Sequence, residues 1–121
     1  MNFDFLKDVQ DFKKLYGYCK NAELSLTSNP SYSVISARNA LESLVKSFYI
    51  TKYGTFPEND SLFELIEDGC FSSYLDDSLL SCIHFVRKVG NNGAHGEDVS
   101  KKDALACLEA LFETVKELLK K

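Results

Sequence analysis

The residues best suited to chemistry lie in one segment, 85–96, where three glycines and two asparagines interrupt an otherwise helical pattern. Within it Arg87, Asn91 and His95 follow one another at intervals of four residues. Their side chains can bind an anion, hydrogen-bond and exchange a proton near neutral pH. On a continuous helix they share one slowly drifting face. Local propensity alone instead predicts a helix end followed by a loop.

Two glycines of this segment indicate how a helix there would pack. If the helix continues, Gly90 and Gly93 allow a neighbouring helix to approach closely, because neither carries a Cβ atom. His84 lies one turn before Arg87, on the same side of the helix.

The elements that must position this segment are helical, because apolar residues recur at helical spacing almost throughout. Asn29-Pro30 is a typical helix start, Ser61 with Glu64 forms a capping-box pattern, and Ser100 is the expected N-cap of the last helix. The connector 71–76 has no clear pattern. The predicted helices cover about 4–27, 30–53, 61–69, from 77 onwards, and from 100 to the C-terminal end.

The predicted fold is all-α, an antiparallel bundle of four long helices and one short helix within a single domain, 1–121. The composition is that of a globular protein, with 45% hydrophobic and 26% charged residues. The longest apolar run, 104–108, is too short to cross a membrane, and the first thirty residues contain no signal-peptide pattern. We therefore expect a cytoplasmic protein without a membrane partner.

The net charge of −4 is unevenly distributed along the chain. Residues 53–86 contain no Lys or Arg, which leaves about +3 on the remainder. We expect the acids to coat a solvated face, so any nucleic-acid surface must be local. The stretch contains seven acids: Glu58, Asp60, Glu64, Glu67, Asp68, Asp76 and Asp77.

The four cysteines, Cys19, Cys70, Cys82 and Cys107, do not form a metal-binding pattern. No pair is spaced C-x-x-C, and the two histidines lie far apart in the sequence, so there is no zinc-binding pattern. We expect buried free thiols, no metal and no cofactor.

Four short motifs occur in an order that resembles a known family. They are Ala22-Glu23, Asn29-Pro30, Ala37-Arg38-Asn39-Ala40-Leu41-Glu42, and Val86-Arg87-Lys88-Val89-Gly90-Asn91 continuing to Ala94-His95. The sequence resembles the small helical domain at the N-terminus of type I restriction motor subunits and in other prokaryotic defence proteins. That domain is similar to the HEPN superfamily (higher eukaryotes and prokaryotes nucleotide-binding domains), and the resemblance spans about 15–119.

The resemblance implies an antiparallel bundle that often dimerises. Catalytic HEPN members carry Arg-Asn-x-x-x-His at the dimer interface and cleave RNA without metal. There the imidazole accepts the 2′-hydroxyl proton and the guanidinium holds the phosphate. In this chain Asn91 and His95 match, but Gly90 occupies the arginine position. The nearest arginine, Arg87, lies ~12 Å from His95 along a continuous helix.

Two functions are the main hypotheses, and a role without nucleic acid, including nucleotide binding in a helical pocket, also stays open. The first is a non-catalytic binding or assembly module of a prokaryotic nucleic-acid-processing or restriction-type defence system. It would form a homodimer and contact RNA or DNA, a larger restriction or defence protein, or an antitoxin. The alternative is a metal-independent endoribonuclease of toxin or abortive-infection type, with His95 as acid/base, Arg87 as phosphate clamp and Asn91 as positioner. Whether the protein is an enzyme stays open.

Further binding candidates are Lys88, Arg38, Glu42 and Glu23, and each has a structural alternative. Arg38 and Glu42 have the i,i+4 spacing of an ion pair, and Glu23 is placed to pair with Arg38 or Arg87 across the bundle. Asn91 and His95 have a structural alternative as well, with Asn91 bonding a helix end and His95 stacking on the core edge. Three tyrosines are weaker candidates for base stacking: Tyr18, Tyr32 and Tyr53.

Overall fold

The computed structural model describes residues 2–120, and these are helical without any strand. The all-α prediction is therefore confirmed. Two short 3₁₀ turns, Asp4–Leu6 and Gln10–Phe12, precede the α-helices. The α-helices are α1 (Lys13–Ser25), α2 (Pro30–Tyr53), α3 (Leu62–Glu67), α4 (Gly69–Ser72), α5 (Asp77–Ala94) and α6 (Lys101–Leu119).

The helix starts predicted from capping residues are confirmed. Asn29 Oδ1 accepts a hydrogen bond from the backbone N–H of Tyr32, which fixes the first turn of α2. Ser61 and Glu64 form the reciprocal capping box that opens α3. Ser100 caps α6 through its side-chain oxygen. Each cap satisfies backbone donors that the first helical turn leaves unpaired.

The N-terminal helix begins at Lys13, so the predicted start near residue 4 is wrong. Phe3 is fully buried and its ring packs edge-on against Phe112 of α6, with 5.4 Å between centroids. Leu6 is also buried, whereas Val9 is extended and exposed. The chain bends to bring Phe3 and Leu6 to the core, and this long-range packing overrides the local helical spacing.

The connector after α3 contains one further turn of helix that the sequence left unassigned. Asp68 caps it by accepting from the backbone N–H of Cys70. Phe71 of this turn is fully buried and lies edge-on to Phe48 of α2, with 5.1 Å between ring centroids. The acids of this region lie at the surface, as predicted: five are exposed, and Asp60 and Asp68 are partly buried.

Helix α2 lies at the centre of the molecule and packs against α1, α5 and α6. The hydroxyl of Ser33, itself buried, donates to the carbonyl oxygen of Ala22, which ties α2 to α1. One apolar core connects the long helices. No helix within residues 2–120 is long and apolar enough to span a membrane. The core side chains of α2 and α5 are Val34, Ala37, Ala40, Leu41, Leu44, Val45, Phe48, Tyr49, Leu79, Ile83 and Val86.

Candidate functional site

Helix α5 continues through the glycine-rich segment to Ala94, and the predicted close approach to a neighbouring helix is confirmed. A Cβ atom on Gly90 would collide with Cβ of Arg38 and would lie 2.9 Å from the carbonyl oxygen of Val34. A Cβ atom on Gly93 would lie 2.8 Å from a methyl group of Val34. The glycines thus form the contact between α5 and α2, and the pairing of 90 with 38 and of 93 with 34 makes the two helices antiparallel.

The close contact brings Asn91 to Arg38. Nε of Arg38 donates to Oδ1 of Asn91 at 2.6 Å, and Nη1 of Arg38 lies 3.4 Å from Oε1 of Glu42. Lys46 Nζ lies 3.0 Å from the other oxygen of Glu42. The predicted Arg38–Glu42 pair is therefore formed, with about a quarter of the arginine side chain exposed. The guanidinium is therefore held by the Glu42 carboxylate on its own helix and by the Asn91 amide on α5, and the second bond links α2 to α5.

Arg87 is hydrogen-bonded to His84 and not to Asn91 or His95. Its Nε donates to Nδ1 of His84 at 3.1 Å, and its guanidinium carbon lies 5.0 Å from the centroid of the Phe63 ring. Oε2 of Glu67 lies 2.8 Å from Nε2 of His84. Sequence reasoning missed Glu67 and Phe63, because the docking of α3 on α5 cannot be inferred from local pattern. The position of His84 one turn before Arg87 was the available signal.

His95 stands just beyond the last residue of α5, and its backbone N–H donates to the carbonyl oxygen of Asn91 at 3.0 Å. Its side chain is exposed and makes no hydrogen bond to the described residues. Lys88 is exposed beside Arg87. Within the described residues, no side-chain hydrogen bond or ion pair joins Arg87, Asn91 and His95 to one another.

Glu23 does not pair with either arginine. Its Oε1 instead accepts from the backbone N–H of Phe3 at 3.4 Å, which fixes the N-terminal segment on α1. Of the three tyrosines, Tyr18 is partly buried, and Tyr32 and Tyr53 are exposed. Tyr53 donates its hydroxyl proton to the carbonyl oxygen of Cys70 at 2.7 Å.

The cysteines are free thiols, two of them deeply buried. Burial raises the pKa of Cys19 and Cys107 to about 12, so neither is a thiolate nucleophile near neutral pH. Cys82 is partly buried, and Cys70 is exposed at the start of α4, which corrects the expectation of a buried thiol there. Within residues 2–120 no cluster of three His, Cys, Asp or Glu side chains is arranged to hold a metal ion.

Comparison with known proteins identifies the family of the chain and a relative. Residues 20–121 match the family model described as "Domain of unknown function (DUF4145)". The chain is 29% identical over 111 residues to the type I restriction enzyme EcoKI endonuclease subunit of Escherichia coli (strain K12). The match covers 92% of this chain but 9% of that subunit, so the chain spans less than a tenth of its relative's length. No solved structure matches the chain.

Proposed function

The chain belongs to the DUF4145 family, and we propose that it is a non-catalytic binding and assembly module of a restriction-type defence system. One observation carries this proposal. Nearly the whole chain is similar to a restriction endonuclease subunit, yet it corresponds to only 9% of that subunit. A helical unit of this size within a much longer protein fits a role in attachment, with the enzyme's chemistry carried by the rest.

The geometry of the candidate residues supports binding over cleavage. Metal-independent RNA cleavage needs a base and a cationic donor directed at one 2′-hydroxyl and its phosphate. Here Arg87 is bound to His84, whereas Asn91 is bound to Arg38. His95 has no side-chain hydrogen-bond partner among residues 2–120 that would set its tautomer.

The homodimer and the kinship with the HEPN superfamily belong to the proposal and rest on the sequence resemblance. The partners we propose are a second copy of the chain and the larger subunits of a restriction system, with RNA or DNA contacted by the assembly. Light scattering of the purified protein tests the dimer: a mass near 27 kDa, twice the chain's 13.6 kDa, is expected.

Reconstitution tests the proposal directly. The purified chain is mixed with the purified subunits of a type I restriction enzyme from the same cell, and the complex is resolved by size exclusion. We expect co-elution at micromolar concentration, without RNA cleavage in EDTA. If the chain co-elutes with none of the subunits, the assembly role is contradicted.

One contact favours the endoribonuclease as second candidate. Arg38 places a guanidinium beside Asn91, which lies one turn before His95. This guanidinium is near the position where Gly90 provides no side chain. The discriminating assay is RNA cleavage in EDTA by the wild type, His95→Ala and the neighbouring exposed-site control Asn92→Ala. Turnover that His95→Ala abolishes and Asn92→Ala preserves would establish this candidate and refute the non-catalytic proposal.

A further inference from the structure

Three polar side chains form a continuous line from α3 to α5, and the line ends in a guanidinium. Arginine can only donate, so Nδ1 of His84 is the acceptor of the bond from Arg87. The neutral imidazole then carries its proton on Nε2, and this N–H donates a hydrogen bond to Oε2 of Glu67, a tautomer assigned from these partners. Each group therefore orients the next, from carboxylate to imidazole to guanidinium.

The guanidinium of Arg87 is fixed on two sides. Its Nε is held by His84, and one face lies against the Phe63 ring. Its two terminal nitrogens make no hydrogen bond to the rest of residues 2–120. A guanidinium held in this way presents two parallel N–H donors, the geometry that binds a carboxylate or a phosphate bidentately. Because Arg87 is already ordered, a ligand pays little side-chain entropy to bind it.

Arg87 lies beside a groove that has both apolar and polar walls. An open groove of about 580 Å³ runs beside it, and its walls include Phe63, Leu80 and Phe85. Phe63 is 48% exposed and Phe85 is 38% exposed, so two aromatic rings meet solvent within one groove. Lys88 adds a second cation at the edge. A complementary ligand therefore has apolar side chains next to an anionic group.

The charge around the groove favours a protein segment over a nucleic acid. Nucleic-acid binding draws most of its affinity from several Lys or Arg side chains that neutralise phosphates. This groove offers two cations and one acid, Glu67, and most of its lining residues belong to the acidic stretch 53–86. Two cations beside a carboxylate give a polyanion few phosphate contacts, whereas one carboxylate between apolar residues matches both the guanidinium and the aromatic walls.

We propose that the groove between α3 and α5 docks a partner protein segment that presents an Asp or Glu side chain to Arg87 and apolar side chains to Phe63 and Phe85. This inference rests on the assembly role proposed above and names the chemistry of the partner. Glu67 and His84 act as positioning residues, since they orient Arg87 and make no contact with the segment's carboxylate.

Selection from displayed random dodecamer peptides, followed by titration of the selected peptides by fluorescence anisotropy, tests the proposal. The selected sequences should carry Asp or Glu flanked by apolar residues. Arg87→Gln should weaken their binding at least tenfold, while Lys101→Gln, which removes an exposed cation on α6, should leave it unchanged. Arg87→Lys keeps the charge but loses the paired donors, so it should weaken binding severalfold. It replaces Arg87→Gln as the test variant if Arg87→Gln does not fold. His84→Gln should weaken binding less than Arg87→Gln, because it affects only orientation.

Selection of no peptide, selection without acidic residues, or equal binding by Arg87→Gln would overturn the docking site. The docking site would also be overturned if the wild type bound a single-stranded oligonucleotide, or self-associated in sedimentation, and Arg87→Gln abolished that binding or self-association. The groove would then hold a different occupant. The failure of this inference is distinct from that of the assembly role. If the wild type and Arg87→Gln co-elute equally with restriction subunits, the assembly role stands and the groove is excluded as the docking site.

Discussion

Alanine at Gly90 is expected to destabilise the protein, although alanine is the better helix former. The new Cβ would collide with Cβ of Arg38 and lie 2.9 Å from the carbonyl oxygen of Val34, and both belong to α2. Neither atom is the free end of a flexible side chain, so the two helices must separate. Overpacking of this kind costs ~2–3 kcal/mol, and the gain in helix propensity recovers ~1 kcal/mol. We expect Gly90→Ala to lower the free energy of unfolding by ~1–2 kcal/mol.

Gly17 provides a matched control, because it lies inside α1 and a Cβ atom there would meet nothing within 4 Å. Gly17→Ala is therefore expected to raise the free energy of unfolding by ~0.5–1 kcal/mol. Urea unfolding followed by far-ultraviolet circular dichroism measures both variants. Their transition midpoints should move in opposite directions from the wild type with an unchanged slope.

A Gly90→Ala variant as stable as the wild type, alongside a stabilised Gly17→Ala variant, would refute the close contact of α5 with α2. Gly90→Arg extends the test to function, because it introduces an arginine where the proposed resemblance to catalytic HEPN members places one. It should be more destabilising than Gly90→Ala and should not produce RNA cleavage, since its side chain begins inside the contact.

Three further predictions concern the remaining polar groups. Asn91→Ala should cost ~1–2 kcal/mol of unfolding free energy in urea melts, because a hydrogen bond to a partly buried guanidinium is lost; an unchanged midpoint would show that the bond contributes nothing. Iodoacetamide at pH 8, read by mass spectrometry, should modify exposed Cys70 first and leave Cys19 and Cys107 unmodified until urea unfolds the protein, because burial raises the pKa of both thiols to about 12. The backbone hydrogen bond of the capping box lowers the pKa of Glu64 below its usual 4.5, so its contribution to stability is present above that pH and is lost as the pH falls through the lowered pKa. Thermal melts should therefore show that acidification below pH 4.5 destabilises the wild type more than Glu64→Gln, and parallel pH profiles would contradict this.

The parts of the fold that the sequence predicted are those decided by neighbours along the chain. A cap such as Asn29 or Ser61 acts on a backbone group three residues away, so its pattern is complete within one turn. The N-terminal segment was predicted wrongly because its conformation depends on Phe112, near the other end of the chain. Local spacing around Phe3 contains no information about that partner.

The contacts of the candidate site were not predicted for the same reason, because they depend on residues distant in the sequence. Spacing placed Arg87, Asn91 and His95 on one face of a helix, but a shared face does not determine what each side chain contacts. Four residues rotate a helix by about 40° more than one full turn. Arg87 and Asn91 therefore face different neighbours. Arg87 meets α3 and Asn91 meets α2, and neither docking could be read from the sequence of α5 alone.

Gly90 stands where the proposed HEPN resemblance places an arginine, and its missing side chain has a structural role. The absence of a side chain at this position lets α5 approach α2, and that approach is what brings Asn91 within 2.6 Å of Arg38. An arginine at position 90 would remove the contact that orients the asparagine beside it. In this packing, the motif arginine and the Arg38–Asn91 bond therefore exclude each other. An arginine at this position requires α5 to approach α2 differently, whereas glycine allows the close packing that holds Asn91 against Arg38.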